Sequence, residues 1–167
     1  MYCIDIITIF PELFKDFLST SIIKKAQDLQ KVQFGVHNLR DWTSDKHKKV
    51  DDEPYGGGSG MIMKPEPLIK AVRSLKKKDS IVILLSPQGN VFNQKKAIEY
   101  ANTDKHLIFI CGRYKGFDER VYSVVDEELS VGDFVVNGGE VPAMLVTEAI
   151  IRLLPDVLGN EDSFKND

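Results

Sequence analysis

Residues 130–144 read S-V-G-D-F-V-V-N-G-G-E-V-P-A-M, and the rest of the chain is organised around this stretch. The pattern predicts a tight turn at residues 132–133, a short β-type run at 134–136 and a second turn at 137–139. Pro142 suits the first position of a helix, because proline fixes φ and has no N–H to leave unpaired. A glycine turn that leads into a helix gathers free backbone N–H groups, which favours a small polar ligand held by the main chain. The alternative is an ordinary hairpin before a core helix, since glycine turns are common.

Length and composition indicate one globular domain, with 167 residues of which 43% are hydrophobic and 28% charged. The net charge of −3 gives no overall attraction to nucleic acid, so such a partner must be met by local patches. Cys3 and Cys111 lie in apolar runs, which fits a reducing compartment better than a disulfide framework. No signal peptide is recognisable, and no apolar run approaches the roughly 20 residues that cross a bilayer. The sequence therefore predicts a cytoplasmic protein without a membrane segment.

Apolar runs alternate with helical patterns, which predicts an α/β fold with a mostly parallel sheet and helices on both faces. The predicted strands are 2–10, 32–36, 81–85 and 106–111. The predicted helices begin at Pro11, after a cap at Ser21, and cover 65–75, 94–100, 118–125 and the residues after Pro142.

Three apolar runs that are predicted to form strands end in a glycine or proline turn. These turns begin at Ser86, Gly112 and Gly132. Ligands of open α/β sheets bind beyond the carboxyl ends of the strands. If the strands are neighbours, we expect these three turns to converge on one ligand.

Residues 39–60 form a long polar segment, and a loop of this length in a compact domain is usually functional or disordered. The basic run at 46–49 lies close to Trp42, an arrangement that suits contact with a phosphate backbone and stacking on a base. A solvated loop with scattered charges is the alternative. The glycine run at 56–60 is not a phosphate-binding P-loop, because Met61 follows it where that motif requires lysine.

The remaining chemistry-bearing residues form no recognisable set in sequence. His37, His47 and His106 lie on different elements without ligand spacing, so no metal site is predicted. Arg152 is unusual on an otherwise apolar helix, since a buried arginine is rarely left unpaired. It either serves a functional site or satisfies carbonyl groups at the helix end.

Motifs distributed in order over almost the whole chain resemble those of bacterial tRNA (guanine-N1)-methyltransferases. They are FPELF at 10–14, RD at 40–41, VDD at 50–52, PYGGG at 54–58, GM at 60–61, LSPQG at 85–89, CGRY at 111–114, Gly116, DER at 118–120, SVGD at 130–133, GGE at 138–140 and VLG at 157–159.

The resemblance implies a domain of the SPOUT class, in which the C-terminal part of an α/β fold forms a trefoil knot. Residues 1–158 would be this methyltransferase domain and 159–167 the start of an interdomain linker, with the C-terminal tRNA-binding domain absent from this chain. The implied reaction transfers a methyl group from S-adenosylmethionine to N1 of the guanosine 3′ to the anticodon. The implied assembly is a homodimer with the active site at the subunit interface.

The resemblance also assigns individual residues. Asp167 would be the general base, because a carboxylate whose pKa is raised by burial can take the guanine proton. Arg152 would offset the charge that develops on the guanine keto oxygen. The cofactor pocket would consist of Leu85, Ser86, Pro87, Gly112, Tyr114, Gly116, Val131, Gly132, Asp133, Phe134, Val135, Val136, Gly138, Gly139 and Pro142.

Three alternatives accompany this assignment, one for the cofactors and two for the function. Magnesium is a second cofactor that the resemblance raises, but Lys115 stands where many relatives carry glutamate, which argues against it. The alternative functions are a ribosomal-RNA methyltransferase of the same knotted class and a non-catalytic nucleotide-binding module.

Overall fold

The computed structural model describes residues 1–113 and 115–159, and within these ranges no helix is long and apolar enough to cross a membrane. The strands are β1 (Tyr2–Thr8), β2 (Val32–Asn38), β3 (Asp51–Asp52), β4 (Ile62–Met63), β5 (Ser80–Val91), β6 (His106–Cys111) and β7 (Glu127–Ser130). The α-helices are α1 (Phe14–Leu18), α2 (Ser21–Asp28), α3 (Pro65–Leu75), α4 (Gln94–Ala101) and α5 (Glu140–Ile151), and 3-10 helices cover Pro11–Leu13, Leu39–Trp42 and Glu119–Val124.

Five strands form one sheet in the order β2-β1-β6-β5-β7, and all neighbouring pairs in it are parallel. β3 and β4 pair antiparallel in a separate ribbon. The predicted α/β fold with a mostly parallel sheet is confirmed. Because β6, β5 and β7 are adjacent, their carboxyl ends lie side by side at one edge of the sheet, as the three predicted turns require.

Alternate residues of each strand pack against helices on opposite faces of the sheet. On one face, Ile83 and Leu85 of β5 belong to a core with α1, α2, α4 and α5. On the other face, Val82 and Leu84 belong to a core with α3 and two of the 3-10 helices. The prediction of helices on both faces is therefore confirmed.

The structure corrects the predicted elements around residues 130–144 and at α2. Residues 134–136 form no strand, because the positive φ of Gly132 (154°) turns the chain away from β7. Pro142 is the third residue of α5 and not the first, since the helix begins at Glu140. It still falls in the first turn, where a backbone N–H has no intrahelical acceptor. At α2 the residue before the helix is Thr20, so Ser21 is not the cap.

β5 is longer than predicted because residues 86–89 form a bulge within it. Leu85 and Asn90 both pair with Leu129 of β7, so the residues between them are excluded from the ladder. A Cβ atom on Gly89 would lie 2.5 Å from the carbonyl carbon of Glu128, so only glycine fits where the bulge rejoins β7. The bulge places residues 86–88 along the wall of a pocket.

Candidate functional site

A pocket of about 520 Å³ lies at the carboxyl edge of the sheet, where the bulge of β5 meets the turns after β6 and β7. Its volume is within the range of small-molecule sites. The predicted cofactor residues that line it are Leu85, Ser86, Pro87, Gly112, Gly116, Val131, Gly132, Phe134, Val135, Val136, Gly138, Gly139 and Pro142.

Four further predicted site residues remain, of which the structure describes two. Asp133 is exposed and does not line the pocket, although the residues on either side of it do. Tyr114 and Asp167 lie outside the described residues. Arg152 is half-buried just beyond the end of α5. Arg152 is ten positions after Pro142 at the pocket wall, which corresponds to about 15 Å along the helix axis.

The turns after β6 and β7 are joined through their main chains. The Gly139 N–H donates to the Gly112 carbonyl at 2.8 Å, and Arg113 forms an isolated antiparallel bridge with Gly138. A Cβ atom on Gly139 would lie 2.8 Å from the Cys111 Cα atom and 2.9 Å from the Gly112 nitrogen. Because those neighbours are backbone atoms that cannot rotate away, the close approach of the two turns requires glycine at this position.

A buried acidic residue, Glu140, lies directly behind these turns and is only 1% exposed. Its Oε1 atom accepts a hydrogen bond from the Thr8 hydroxyl at 2.8 Å, and its Oε2 atom accepts one from Arg113 Nε at 3.0 Å. The Arg113 guanidinium also lies 4.5 Å from the centre of the Phe10 ring. Sequence analysis assigned no role to Glu140 or Arg113. The available signal was an acidic residue at the start of an otherwise apolar helix.

Cys111 ends β6 next to the pocket but is not a candidate nucleophile. Complete burial raises the pKa of its thiol well above the ordinary value, and the nearby Glu140 carboxylate raises it further, against a smaller lowering by Arg113. Only the thiolate is strongly nucleophilic, so this side chain stays protonated and inert.

Apolar side chains are exposed around the pocket mouth and along α5. Phe134, Val135 and Val136 are 57%, 83% and 44% exposed, and Val141 and Leu145 are 64% and 48% exposed. Val141 and Leu145 are four residues apart and so share one face of the helix. We call these five residues the exposed apolar group.

A shallower groove adjoins the pocket, and Phe117 and Glu119 line both. Its outer wall includes Tyr55, which is 84% exposed. The glycine loop that carries Tyr55 is held to the pocket by Lys115, whose N–H donates to the Met61 carbonyl at 3.0 Å. The Lys115 ammonium donates to the Ser59 hydroxyl at 3.1 Å. The groove thus has an accessible aromatic ring at the pocket entrance.

Two of the histidines that sequence analysis placed on separate elements meet on one carboxylate. The Asp5 oxygens lie 2.6 Å from His37 Nε2 and 2.5 Å from His106 Nε2, and His106 Nδ1 lies 2.7 Å from the Ser80 hydroxyl. Burial raises the pKa of Asp5, but the hydrogen bonds and charges of the two imidazoles outweigh it and hold that pKa below its ordinary value. Across residues 1–113 and 115–159 no group of three or more His, Cys, Asp or Glu side chains has an arrangement that could hold a metal ion.

Comparison with known proteins identifies close relatives over the whole chain. The sequence model of the family described as tRNA (guanine-1)-methyltransferase TrmD matches residues 2–167. The chain is 60% identical to the tRNA (guanine-N(1)-)-methyltransferase of Dictyoglomus turgidum, covering 100% of this chain and 68% of that protein. It is 52% identical to the enzyme of the same name from Acholeplasma laidlawii, covering 98% of this chain and 67% of that protein. The chain thus spans about two thirds of the length of these curated relatives.

Proposed function

The chain belongs to the tRNA (guanine-1)-methyltransferase family, and from this premise we propose that the pocket at the carboxyl edge of the sheet binds S-adenosylmethionine beside a guanine of tRNA. The activity of the family, and of this chain, is transfer of a methyl group to N1 of guanine in tRNA. The proposal adds the target position, the guanosine 3′ to the anticodon, and a cytoplasmic location.

The observation that carries the proposal is the meeting of three sequence-distant turns around one cavity. When bound, S-adenosylmethionine would supply the methyl group, whose bond to the positively charged sulfur breaks as the new N–C bond forms, so that the rest of the cofactor leaves as a neutral thioether. The walls suit the rest of that molecule, because Leu85, Val131 and Pro142 offer apolar contact to a flat base. The glycine turns allow main-chain N–H and C=O groups to approach base and ribose closely. Asp133 and Tyr114 remain part of the proposed cofactor set.

We place the guanine at the outer side of this pocket, where two chain groups act on it. Asp167 takes the proton from guanine N1, so that the nitrogen lone pair becomes free to form the new N–C bond. The Arg152 guanidinium faces the keto oxygen and offsets the negative charge that grows there as the proton leaves. Both residues must lie within hydrogen-bond reach of the base for these roles.

The position of Arg152 supports a homodimer with shared sites. Arg152 is about 15 Å along α5 from the pocket wall of its own subunit, which is too far for contact with a base held there. A second copy of the chain brings its own Arg152 to the pocket when the subunits pack about a two-fold axis. The exposed apolar group, at the pocket mouth and on α5, provides the surface that such packing would bury.

The course of the chain after β7 supports the proposed trefoil knot. β7 lies outside β5, yet the Gly138–Gly139 turn contacts Gly112 at the end of β6, so the chain crosses the end of β5. Such a crossing is what a knotted carboxyl edge requires. We keep residues 1–158 as the methyltransferase domain and 159–167 as linker. Magnesium is left out of the proposal, because the cationic Lys115 lines the pocket.

Methyl transfer provides the direct test. Purified full-length protein with radiolabelled S-adenosylmethionine is expected to label N1 of guanosine 3′ to the anticodon in tRNA and to leave ribosomal-RNA transcripts unlabelled. Arg152→Ala and Asp167→Ala are each expected to lower turnover far more than cofactor affinity. Equal losses in both quantities would contradict the assigned roles.

Subunit mixing tests the shared site. Arg152→Ala protein is mixed with a variant whose pocket is filled by Val131→Trp at a lining position, and the subunits are allowed to exchange. Heterodimers then carry one intact site, so about a quarter of wild-type activity is expected from a random mixture. Activity no higher than that of the separate variants would show that Arg152 does not act across the interface.

The ribosomal-RNA methyltransferase and the non-catalytic nucleotide-binding module are not favoured, because the curated relatives carry the name of the tRNA enzyme. Calorimetry with S-adenosylmethionine and with ATP separates the module from the enzyme. Selective binding of ATP would support the module.

A further inference from the structure

We propose that Glu140 is a positioning residue of the methyl-transfer site, whose buried carboxylate fixes the turns after β6 and β7 relative to each other so that the pocket has its binding shape. The inference rests on the proposed function, because it concerns the same pocket. Glu140 itself is not among the lining residues, so it acts through its neighbours.

The carboxylate joins segments that are far apart in sequence. One oxygen accepts from Thr8 at the end of β1, and the other accepts from Arg113 in the turn after β6. The Thr8 hydroxyl oxygen in turn accepts from the Phe10 N–H at 2.9 Å. With Glu140 at the first position of α5, three separate segments of the carboxyl edge are tied to one side chain. A carboxylate that is 1% exposed is stable only when such donors satisfy it.

The turn after β7 is packed directly on this ion pair. A Cβ atom on Gly138 would lie 2.3 Å from Arg113 Nε and 2.5 Å from Glu140 Oε2. The turn therefore packs against the Glu140 and Arg113 side chains, and their position determines where Gly138 lies in the pocket wall. Since Gly138, Gly139 and Arg113 all line the pocket, a shift of the ion pair changes its wall.

A purely structural role would show up as lost stability without a selective effect on the cofactor. The two roles of the ion pair can be separated, because its negative charge can be removed by a substitution that leaves the shape of the side chain nearly unchanged. Glu140→Gln keeps the size of the residue but replaces one acceptor oxygen with an N–H₂ group and removes the negative charge, so the Arg113 guanidinium loses the charge that it is paired with. The turn after β7 then loses its fixed support while both hydrophobic cores are untouched.

The test measures steady-state kinetics, calorimetric binding of S-adenosylmethionine and thermal unfolding of the full protein. Glu140→Gln is expected to lower kcat/KM for S-adenosylmethionine by about tenfold or more, because a small displacement of binding groups reduces catalytic efficiency by at least that factor. The KM for tRNA is expected to stay near the wild-type value. Arg113→Lys, which keeps the charge but not the Nε donor, is expected to act in the same direction. It serves as the second variant if Glu140→Gln does not fold. Asp28→Asn, which makes the same chemical change in an exposed helical ion pair with Lys24, is the matched control and is expected to have no effect.

The double variant Glu140→Gln with Arg113→Gln completes the test. If the two residues act as one device, the double variant loses no more cofactor affinity than the worse single variant. Additive losses, an unchanged kcat/KM in Glu140→Gln, or equal increases in KM for both substrates would overturn the inference. Failure of the proposed function is recognised separately, since wild-type protein would then bind no S-adenosylmethionine at all.

Discussion

Gly139→Ala probes the contact between two pocket turns. The added carbon would lie 2.8 Å from the Cys111 Cα atom, so the turn must retreat by about 0.7 Å to reach a normal carbon–carbon separation. Overpacking of this kind costs about 1–3 kcal/mol. The same movement lengthens the 2.8 Å Gly139–Gly112 hydrogen bond to about 3.5 Å, and its weakening costs up to about 1 kcal/mol.

The two effects sum to about 1–4 kcal/mol, which lowers Tm by roughly 2–16 °C for a chain of this size. The retreat also widens the pocket at Gly139, so S-adenosylmethionine affinity is expected to fall by about tenfold, equivalent to one lost contact of about 1.4 kcal/mol. Thermal unfolding and isothermal calorimetry, performed on the same samples, measure both quantities.

Gly159→Ala is the matched control, because no described atom lies within 4 Å of the position of its Cβ atom. We expect it to leave both Tm and affinity unchanged. If Gly139→Ala matched the control in Tm, the two turns would not be in the close contact described. If Tm fell but cofactor affinity did not, the turn would be structural and would not form a wall of the ligand site.

Three further outcomes are expected. The pKa of Asp5 is lowered in the folded protein, so its contribution to stability is present above the unfolded pKa and is lost as pH falls through the lowered folded value. Stability of Asp5→Asn should therefore fall less steeply than that of wild type as the pH drops below about 4, and an unchanged profile would refute the linkage. Buried Cys111 should resist iodoacetamide in native protein while half-buried Cys3 reacts, and equal labelling would contradict the described burial. Leu145→Asp should convert the proposed homodimer to monomer in analytical ultracentrifugation without loss of secondary structure, whereas an unaltered sedimentation profile would contradict an interface at this face of α5.

The sheet and its helices could be predicted because their signals are local. Residues 65–75 have the spacing of an amphipathic helix, and 106–111 form an unbroken apolar run, so both elements have the predicted bounds. Residues 134–136 have equally strong β propensity but form no strand. Within residues 1–113 and 115–159 no strand pairs with them after the turn at Gly132, and propensity alone does not supply a partner.

The pocket could be placed from sequence only by combining two kinds of argument. Turn residues at the ends of apolar runs located the edge, and the resemblance selected individual residues. The bulge within β5 was missed, because residues 86–89 look like the end of a strand until Asn90 is seen to pair with Leu129. The contacts of Glu140 were missed because Thr8 and Arg113 are 132 and 27 residues away along the chain. Hydrophobic periodicity carries no information over such separations in sequence.

Substitutions at positions 5 and 35 are expected to depend on each other during evolution. Gly35 lies opposite Asp5 in the β1–β2 register, and a Cβ atom on it would lie 2.0 Å from the Asp5 Oδ1 atom. A lineage that acquires a side chain at position 35 must therefore move or replace the Asp5 side chain, and also shift His37, whose Nε2 atom would lie 2.7 Å from the same Cβ. We therefore expect residues 5 and 35 to be replaced together in related sequences, and His37 and His106 to be substituted freely once Asp5 is lost.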